Sequence, residues 1–186
     1  WRQFTDQVSR LHQAFRDSGM QPGDRVCAVM PNLPETISAF AGANSLGAVW
    51  SSCSPDFGER GILDRFGQIE PGILVVCDGY YYNGKTFDIT DKIAEVVKGL
   101  PTLKKVIVVN YTGNAAATAA KLPDAVTFDD FIDAYSPAPI DYAMLPFDHP
   151  LYILFSSGTT GVPKCIVHRA GGVLLKHLAE HQLHGG

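Results

Sequence analysis

No apolar run in this sequence approaches the roughly 18 residues that a membrane-spanning helix needs. The opening stretch WRQFTDQVSRLHQAF is polar and amphipathic where a secretory leader would be apolar. No membrane partner is expected, and a cytoplasmic address is. Basic charge is scarce as well: 15 Lys and Arg stand against 19 Asp and Glu, a net charge of -4. The cations are scattered along the chain, which lacks the electrostatic footprint of a nucleic-acid binder, so no nucleic-acid partner is expected. Cysteine is limited to Cys27, Cys53, Cys77 and Cys165, all far apart. A disulfide framework or a zinc site would need paired ligands at short spacing, so neither is expected, and no metal ligand is assigned. Three of these thiols lie inside apolar runs (RVCAVM, LVVCDG, KCIVH) and read as reduced and strand-buried; Cys53, in SSCSPDFG, reads as part of a polar turn. Internal repeats are absent. So is an initial methionine, and the chain stops at HQLHGG in the middle of a helix signal, so a piece of a longer protein is expected.

What is present is globular. With 186 residues, 46% hydrophobic and 18% charged, the chain suffices for one sizeable core. Phe4, Val8, Leu11 and Phe15 recur at helical spacing up to Gly19. DRVCAVM reads as a strand, ETISAFAGANSLG as a helix of small residues, and AVWSSC as the next strand. The alternation continues with ERGILDRFGQI (helix), GILVVCD (strand), DITDKIAEVVKGL (helix) and KKVIVVN (strand). YTGNAAATAAKLPD has no convincing periodic face and reads as a surface excursion. FDDFIDAY is a short helix, SPAPIDYAMLPFDHP a proline-punctuated connector, and LYILF the last strong strand. Because these strands are apolar throughout instead of alternating, the expected fold is α/β, a largely parallel sheet with helices on both faces.

Directly behind LYILF stands SSGTTGVPK, Ser156 to Lys164. Turns that follow a buried strand are where α/β folds place phosphate-binding loops. Gly158 and Gly161 can take positive φ and turn successive backbone N–H groups into one concavity. Ser156, Ser157, Thr159 and Thr160 add hydroxyl donors, and Lys164 adds a cation. The pattern is not a Walker loop, because Val162 and Pro163 separate Gly161 from Lys164, and the strand signal CIVH after the lysine predicts a hairpin-like turn. The bland alternative is a Gly/Ser/Thr surface turn.

SSGTTGVPK resembles the phosphate loop of the adenylate-forming superfamily, which includes acyl-CoA synthetases, luciferases and the adenylation domains of peptide synthetases. GAVWSSCSPDFGERGILDRFGQIEP, VVCDGYYYNGK and PFDHPLYILFSSGTTGVPKCIVHRAGGVLLKHL resemble the acyl-CoA synthetases that activate acetoacetate more than those that activate acetate. The resemblance runs over nearly the whole chain. It implies a partial N-terminal AMP-binding domain, residues 1–186, ending just after the phosphate loop and without the C-terminal lid domain. The implied reaction is ATP-dependent: an acyl-adenylate forms with release of pyrophosphate, and CoA then displaces AMP. ATP, Mg2+ and coenzyme A are the implied co-substrates, and acetoacetate or a related short acid the small-molecule partner. By position, Ser156, Ser157, Gly158, Thr159, Thr160, Gly161 and Lys164 would hold the ATP phosphates, with Lys164 and Thr160 the catalytic pair. The adenine, magnesium and lid residues of the family lie outside this sequence, so the chain alone would be inactive. Another acyl or aryl acid activator of the superfamily, or a non-catalytic nucleotide-binding module, are the alternatives.

Lys85, in YYYNGK, lies where related synthetases carry a basic residue near the 3'-phosphate of CoA; the competing reading is a solvated loop lysine. Trp50 is expected to fill core rather than line a tunnel. SPDFG is expected to be a turn with Ser54 or Asp56 capping the following helix. His168 reads as a hydrogen-bonded structural histidine.

Overall fold

The computed structural model describes residues 1–156 and 161–185. In chain order the elements are α1 (Arg2–Asp17), β1 (Arg25–Val29), α2 (Pro34–Ser45), β2 (Val49–Cys53), α3 (Glu59–Phe66) and β3 (Ile73–Cys77). There follow β4 (Gly79–Tyr82), β5 (Lys85–Asp88), α4 (Thr90–Lys98), β6 (Lys105–Val109), α5 (Ala115–Lys121) and β7 (Ala125–Thr127). The last are α6 (Phe128–Asp133), β8 (Pro150–Phe155), β9 (Cys165–Arg169) and α7 (Ala170–His184).

The main sheet runs β7-β6-β3-β1-β2-β8-β9, and every neighbouring pair is parallel except β8 with β9. This is the expected α/β architecture. Right-handed crossovers between parallel strands put rightward and leftward connections on opposite faces of the sheet. Accordingly α1 packs with α2 and α6, while α3 packs with α4 and α4 with α5. Covered on both faces, β1, β3 and β6 are buried at nearly every residue, which is why their sequences are unbroken apolar runs.

The small-residue helix α2 buries Ser38, Ala39, Gly42 and Ala43. A Cβ at Gly42 would stand 2.8 Å from Cβ of Leu11, so the missing side chain sets the approach of α1 to α2. Leu11 and Phe15 of α1 are completely buried at that contact. Trp50 is buried, edge-on to Phe40 at 5.9 Å, and fills core as expected.

Five expectations are corrected. The alanine-rich stretch after Tyr111 contains the helix α5. Alanine has the highest helix propensity, and the buried face is only Ala115 and Thr118, too small for an apolar stripe to show in the sequence. YYYNGK is an antiparallel hairpin of β4 and β5, turned by Asn83 and Gly84 at φ of 49° and 72°. Asn-Gly is the usual signature of that primed turn. SPDFG does turn, with the Phe57 N–H donating to the Ser54 carbonyl, but Gly58 is the N-cap of α3, with no side chain capping it. Finally Cys53 ends β2 instead of lying in a turn, and Cys165 is exposed, whereas Cys27 and Cys77 are buried.

Candidate functional site

β8 is the strand that carries the glycine- and hydroxyl-rich loop, and it is tied to the sheet on one side by few bonds. Trp50 pairs with Tyr152 in register, and the Ser51 hydroxyl donates to the Ile153 carbonyl at 2.8 Å. On the other side β9 runs back antiparallel, with Phe155 opposite Cys165. The loop is therefore a hairpin connection, as the strand signal after Lys164 predicts. Its neck is closed between Ser156 and Lys164: the Ser156 N–H donates to the Lys164 carbonyl at 3.0 Å, and the Lys164 N–H donates to Ser156 Oγ at 3.1 Å.

Of the predicted phosphate-loop residues, Ser156, Gly161 and Lys164 are described, while Ser157, Gly158, Thr159 and Thr160 lie outside the described residues. Ser156 Oγ accepts inside the neck, and among the described residues its own proton has no acceptor. Gly161 sits at φ of 98°, a backbone region that strongly favours glycine. Lys164 is exposed, and none of the ion pairs among the described residues involves it. Such a neck with an exposed cation is suited to an anion approaching the carboxyl end of β8.

The structure does not bring Lys85 to this loop. Lys85 is exposed at the start of β5, in the hairpin that follows β3, and β1 and β2 lie between β3 and β8. Three strand spacings put the ends of β3 and β8 about 14 Å apart, although both hairpins rise from the carboxyl edge. That second hairpin is oriented by Asp78. Its fully buried carboxylate accepts from the N–H groups of Tyr111 (2.9 Å), Thr112 (2.8 Å) and Asn114 (2.6 Å), fastening the end of β3 to the turn after β6.

Sequence reasoning missed the contacts that α3 and α4 make around these loops. Gln68, just past α3, donates from Nε2 to the Pro163 carbonyl at 2.8 Å, and its Oε1 accepts from Cys165 Sγ at 3.6 Å. The Arg65 guanidinium lies 4.6 Å from the ring centre of Phe57 and 6.0 Å from that of Phe155. Lys92 donates to the carbonyls of Pro55 and of Phe57, the latter at 3.0 Å, and burial lowers its pKa. No local signal marks these residues, because each partner is distant along the chain. Burial pushes the Cys53 thiol up to about 12 and the Cys77 thiol up to about 11. His168 stacks on Tyr152 at 4.8 Å, so a ring contact anchors it where a hydrogen bond was expected.

A cavity of about 410 Å³ opens at the opposite, amino end of the strands, lined by Asp24, Arg25, Glu70, Lys104 and Lys105 among others. It shares no residue with the hairpin. No helix among the described residues is long and apolar enough to cross a membrane.

Comparison with known proteins bears on the loop and the fold together. Over all of its length the chain is 56% identical to the acetoacetyl-coenzyme A synthetase of Rhizobium meliloti (strain 1021) and 46% identical to the acetoacetyl-CoA synthetase of Macaca fascicularis. It spans 28% of the length of each of these relatives. The fold matches acetoacetyl-CoA synthetase from Streptomyces lividans with a TM-score of 0.92 at 42% identity, covering 100% of this chain and 28% of that one. The family of AMP-binding enzymes, by its description "AMP-binding enzyme", matches residues 1–184. With nearly every residue inside that match, and the neck from Ser156 to Lys164 at the end of a parallel strand, the chain belongs to the AMP-binding enzyme family.

Proposed function

We propose that this chain is the phosphate-binding N-terminal part of an AMP-forming acid–thiol ligase that activates acetoacetate and transfers it to coenzyme A. The observation that carries the reading is the Ser156–Lys164 neck, which presents an exposed lysine beyond the carboxyl end of a parallel strand. The identity of 56% to an acetoacetyl-coenzyme A synthetase over the whole chain supports the choice of acid.

In the first step a carboxylate oxygen attacks the α-phosphorus of ATP, the bond to the β-phosphate oxygen breaks, and pyrophosphate leaves. In the second the CoA thiol, losing its proton, attacks the acyl carbon and AMP leaves. Catalysis of this kind is positioning and charge neutralisation. Lys164 and the hydroxyl of Thr160 meet the negative charge growing on the leaving pyrophosphate. Ser156, Ser157, Gly158, Thr159 and Gly161 cradle the β- and γ-phosphates with N–H and O–H donors. The described part of the loop fits a polyphosphate: it supplies a cation, a hydroxyl proton and a left-handed glycine. Lys85 is the CoA contact in this reading, supported by its exposure at a hairpin tip on the same edge of the sheet.

Mg2+ enters as the companion of the nucleotide. Among the described residues no group of three or more His, Cys, Asp or Glu is placed to hold a metal ion, so these side chains supply no step through it. Adenine, ribose and the lid are left to further sequence of the same polypeptide. The exposed apolar residues Leu154, Ile166, Val167, Leu174 and Leu178 on β8, β9 and α7 support a larger domain continuing over that edge.

The test is pyrophosphate release by the full-length protein across a panel of acids with ATP and CoA. Acetoacetate is expected to be preferred. A clear preference for acetate, fatty or aryl acids overturns the substrate and leaves the ligase class, whereas no pyrophosphate release with any acid overturns the class.

A further inference from the structure

We propose that Gln68 is a positioning residue for Lys164, holding the residues on both sides of that lysine and so setting where its ammonium leaves the hairpin. The inference rests on the reading that Lys164 meets the phosphates of ATP.

Gln68 sits in the turn that ends α3, where its own N–H donates to the Arg65 carbonyl at 3.2 Å. Its side chain is therefore anchored at the backbone before it reaches the hairpin. Nε2 has two protons and uses both: one goes to the Asp64 carbonyl at 2.6 Å, the other to the Pro163 carbonyl at 2.8 Å. Oε1 accepts from Cys165 Sγ at 3.6 Å. One amide thus grips the residue before Lys164 and the residue after it, from a position 95 residues away in sequence.

The geometry of extended chains gives this grip a direction. Successive side chains in extended backbone point to opposite sides. With the Cys165 thiol turned toward Gln68, and Lys164 paired across the neck to Ser156, the lysine side chain is directed away from α3. The other arm of the hairpin meets the same helix, because Arg65 lies between the rings of Phe57 and Phe155, the residue just before Ser156. Arg65 is itself fixed by donating to the Gly61 carbonyl at 2.7 Å. α3 therefore braces both arms, and Gln68 is the brace on the arm that carries the lysine. These hydrogen bonds are exposed or only part-buried, outside the packed core, and so add little to global stability. Their effect is local, on a cation that has to meet leaving oxygens within a fraction of an ångström.

The test uses Gln68→Met in the full-length protein, which keeps chain length and removes the amide. KM for ATP in acid-dependent ATP–pyrophosphate exchange is expected to rise about threefold to tenfold, with KM for the acid and thiolysis of supplied acyl-adenylate changed by less than about twofold. The melting temperature is expected to stay within about 2 °C. Amide hydrogen exchange over residues 161–169 is expected to quicken. Gln68→Glu keeps the acceptor for Cys165 and loses the donor to Pro163, so it is expected to fail at least as badly as Gln68→Met. An unchanged KM for ATP in Gln68→Met, or an equal loss in both half-reactions with a lowered melting temperature, overturns the positioning role. If the wild-type protein shows no acid-dependent exchange, it is the ligase reading that falls. The hydrogen-exchange comparison then still decides on the brace, since unchanged exchange over 161–169 overturns it.

Discussion

From the middle of the sheet to its edge, burial falls from complete to slight. Val26 of β1, Val75 of β3 and Ile107 of β6 are 0% exposed, whereas Leu154 of β8 is 46% exposed and Ile166 and Val167 of β9 are 46% and 47% exposed. Both regions are apolar strands, so composition does not make the difference. The middle strands have helices against both faces, while among the described residues β8 is joined to β2 through one registered pair and one serine hydroxyl. The phosphate-loop candidate thus hangs on a thinly covered edge of the sheet. Its geometry is maintained by particular contacts, the Ser156–Lys164 neck and the Arg65 and Gln68 braces, instead of by a packed core. Segments of low local stability are where binding loops are commonly found, because they must rearrange around a ligand.

The sharpest way to break this contrast is to cut into both regions equally. Ile107→Ala, in the fully buried β6, is expected to cost about 2 to 5 kcal/mol of unfolding free energy. It would be measured by urea denaturation beside Ile166→Ala at the edge, and similar losses at the two sites would erase the contrast.

Asp78→Ala comes next, because it leaves the buried N–H groups of Tyr111, Thr112 and Asn114 without their acceptor. A loss of about 3 kcal/mol is expected from hydrogen bonds to a buried charge. Faster hydrogen exchange centred on residues 79–88 and 111–114 would locate it in the second hairpin.

Lys164→Ala in the full-length protein is expected to slow adenylation about tenfold to a hundredfold, the worth of one charge-assisted bond at roughly 1.5 to 3 kcal/mol. Thiolysis of supplied acyl-adenylate should be nearly untouched, and stability unchanged. Equal damage to both half-reactions would mean that the lysine supports structure.

The thiols give a graded effect that is confined to alkaline pH. Cys53 and Cys77 have an ordinary value of 9.0, and burial raises them to about 12 and about 11 in the folded chain. Above pH 9 the unfolded thiols lose protons that the folded ones keep, so stability is intact below about pH 9 and falls as pH rises toward 11 and 12. The slope is about 1.4 kcal/mol per pH unit for each thiol. A Cys53→Ala, Cys77→Ala double variant should flatten the decline, and an unaltered slope would count against the burial. Near neutral pH, alkylation of the native chain should mark the exposed Cys165 well before the other three.

At the bottom of the scale stands Ile166→Thr, a change at the exposed edge that keeps the β-branch. An effect within about 0.5 kcal/mol is expected, as for other surface substitutions. A larger loss would show that the edge is covered in solution.

Most elements were legible because their signals are local. Apolar runs marked β1, β3, β6 and β8, the apolar start of VWSSC marked β2, proline and glycine marked the breaks, and every predicted phosphate-loop residue lies within one contiguous stretch, Ser156 to Lys164. The illegible parts are α5, whose buried face is only alanine and threonine, the three-residue strand β7, too short for a pattern to show, and the β4–β5 hairpin, whose Asn-Gly turn is its one local mark.

Local order of the chain could determine that strands and helices alternate, that the middle strands are buried on both faces, and that a hairpin turn rich in glycine and hydroxyl side chains follows LYILF. It could not determine burial residue by residue: Cys27 in RVCAVM and Cys165 in KCIVH read alike, yet one is buried and the other exposed. Nor could it place β8 beside β2, whose Ser51 and Ile153 bond across 102 residues, or bring Gln68 to the flanks of Lys164. Those outcomes depend on which surfaces meet when the sheet assembles, and a neighbour supplied from the far side of the chain leaves no mark on the local pattern of side chains.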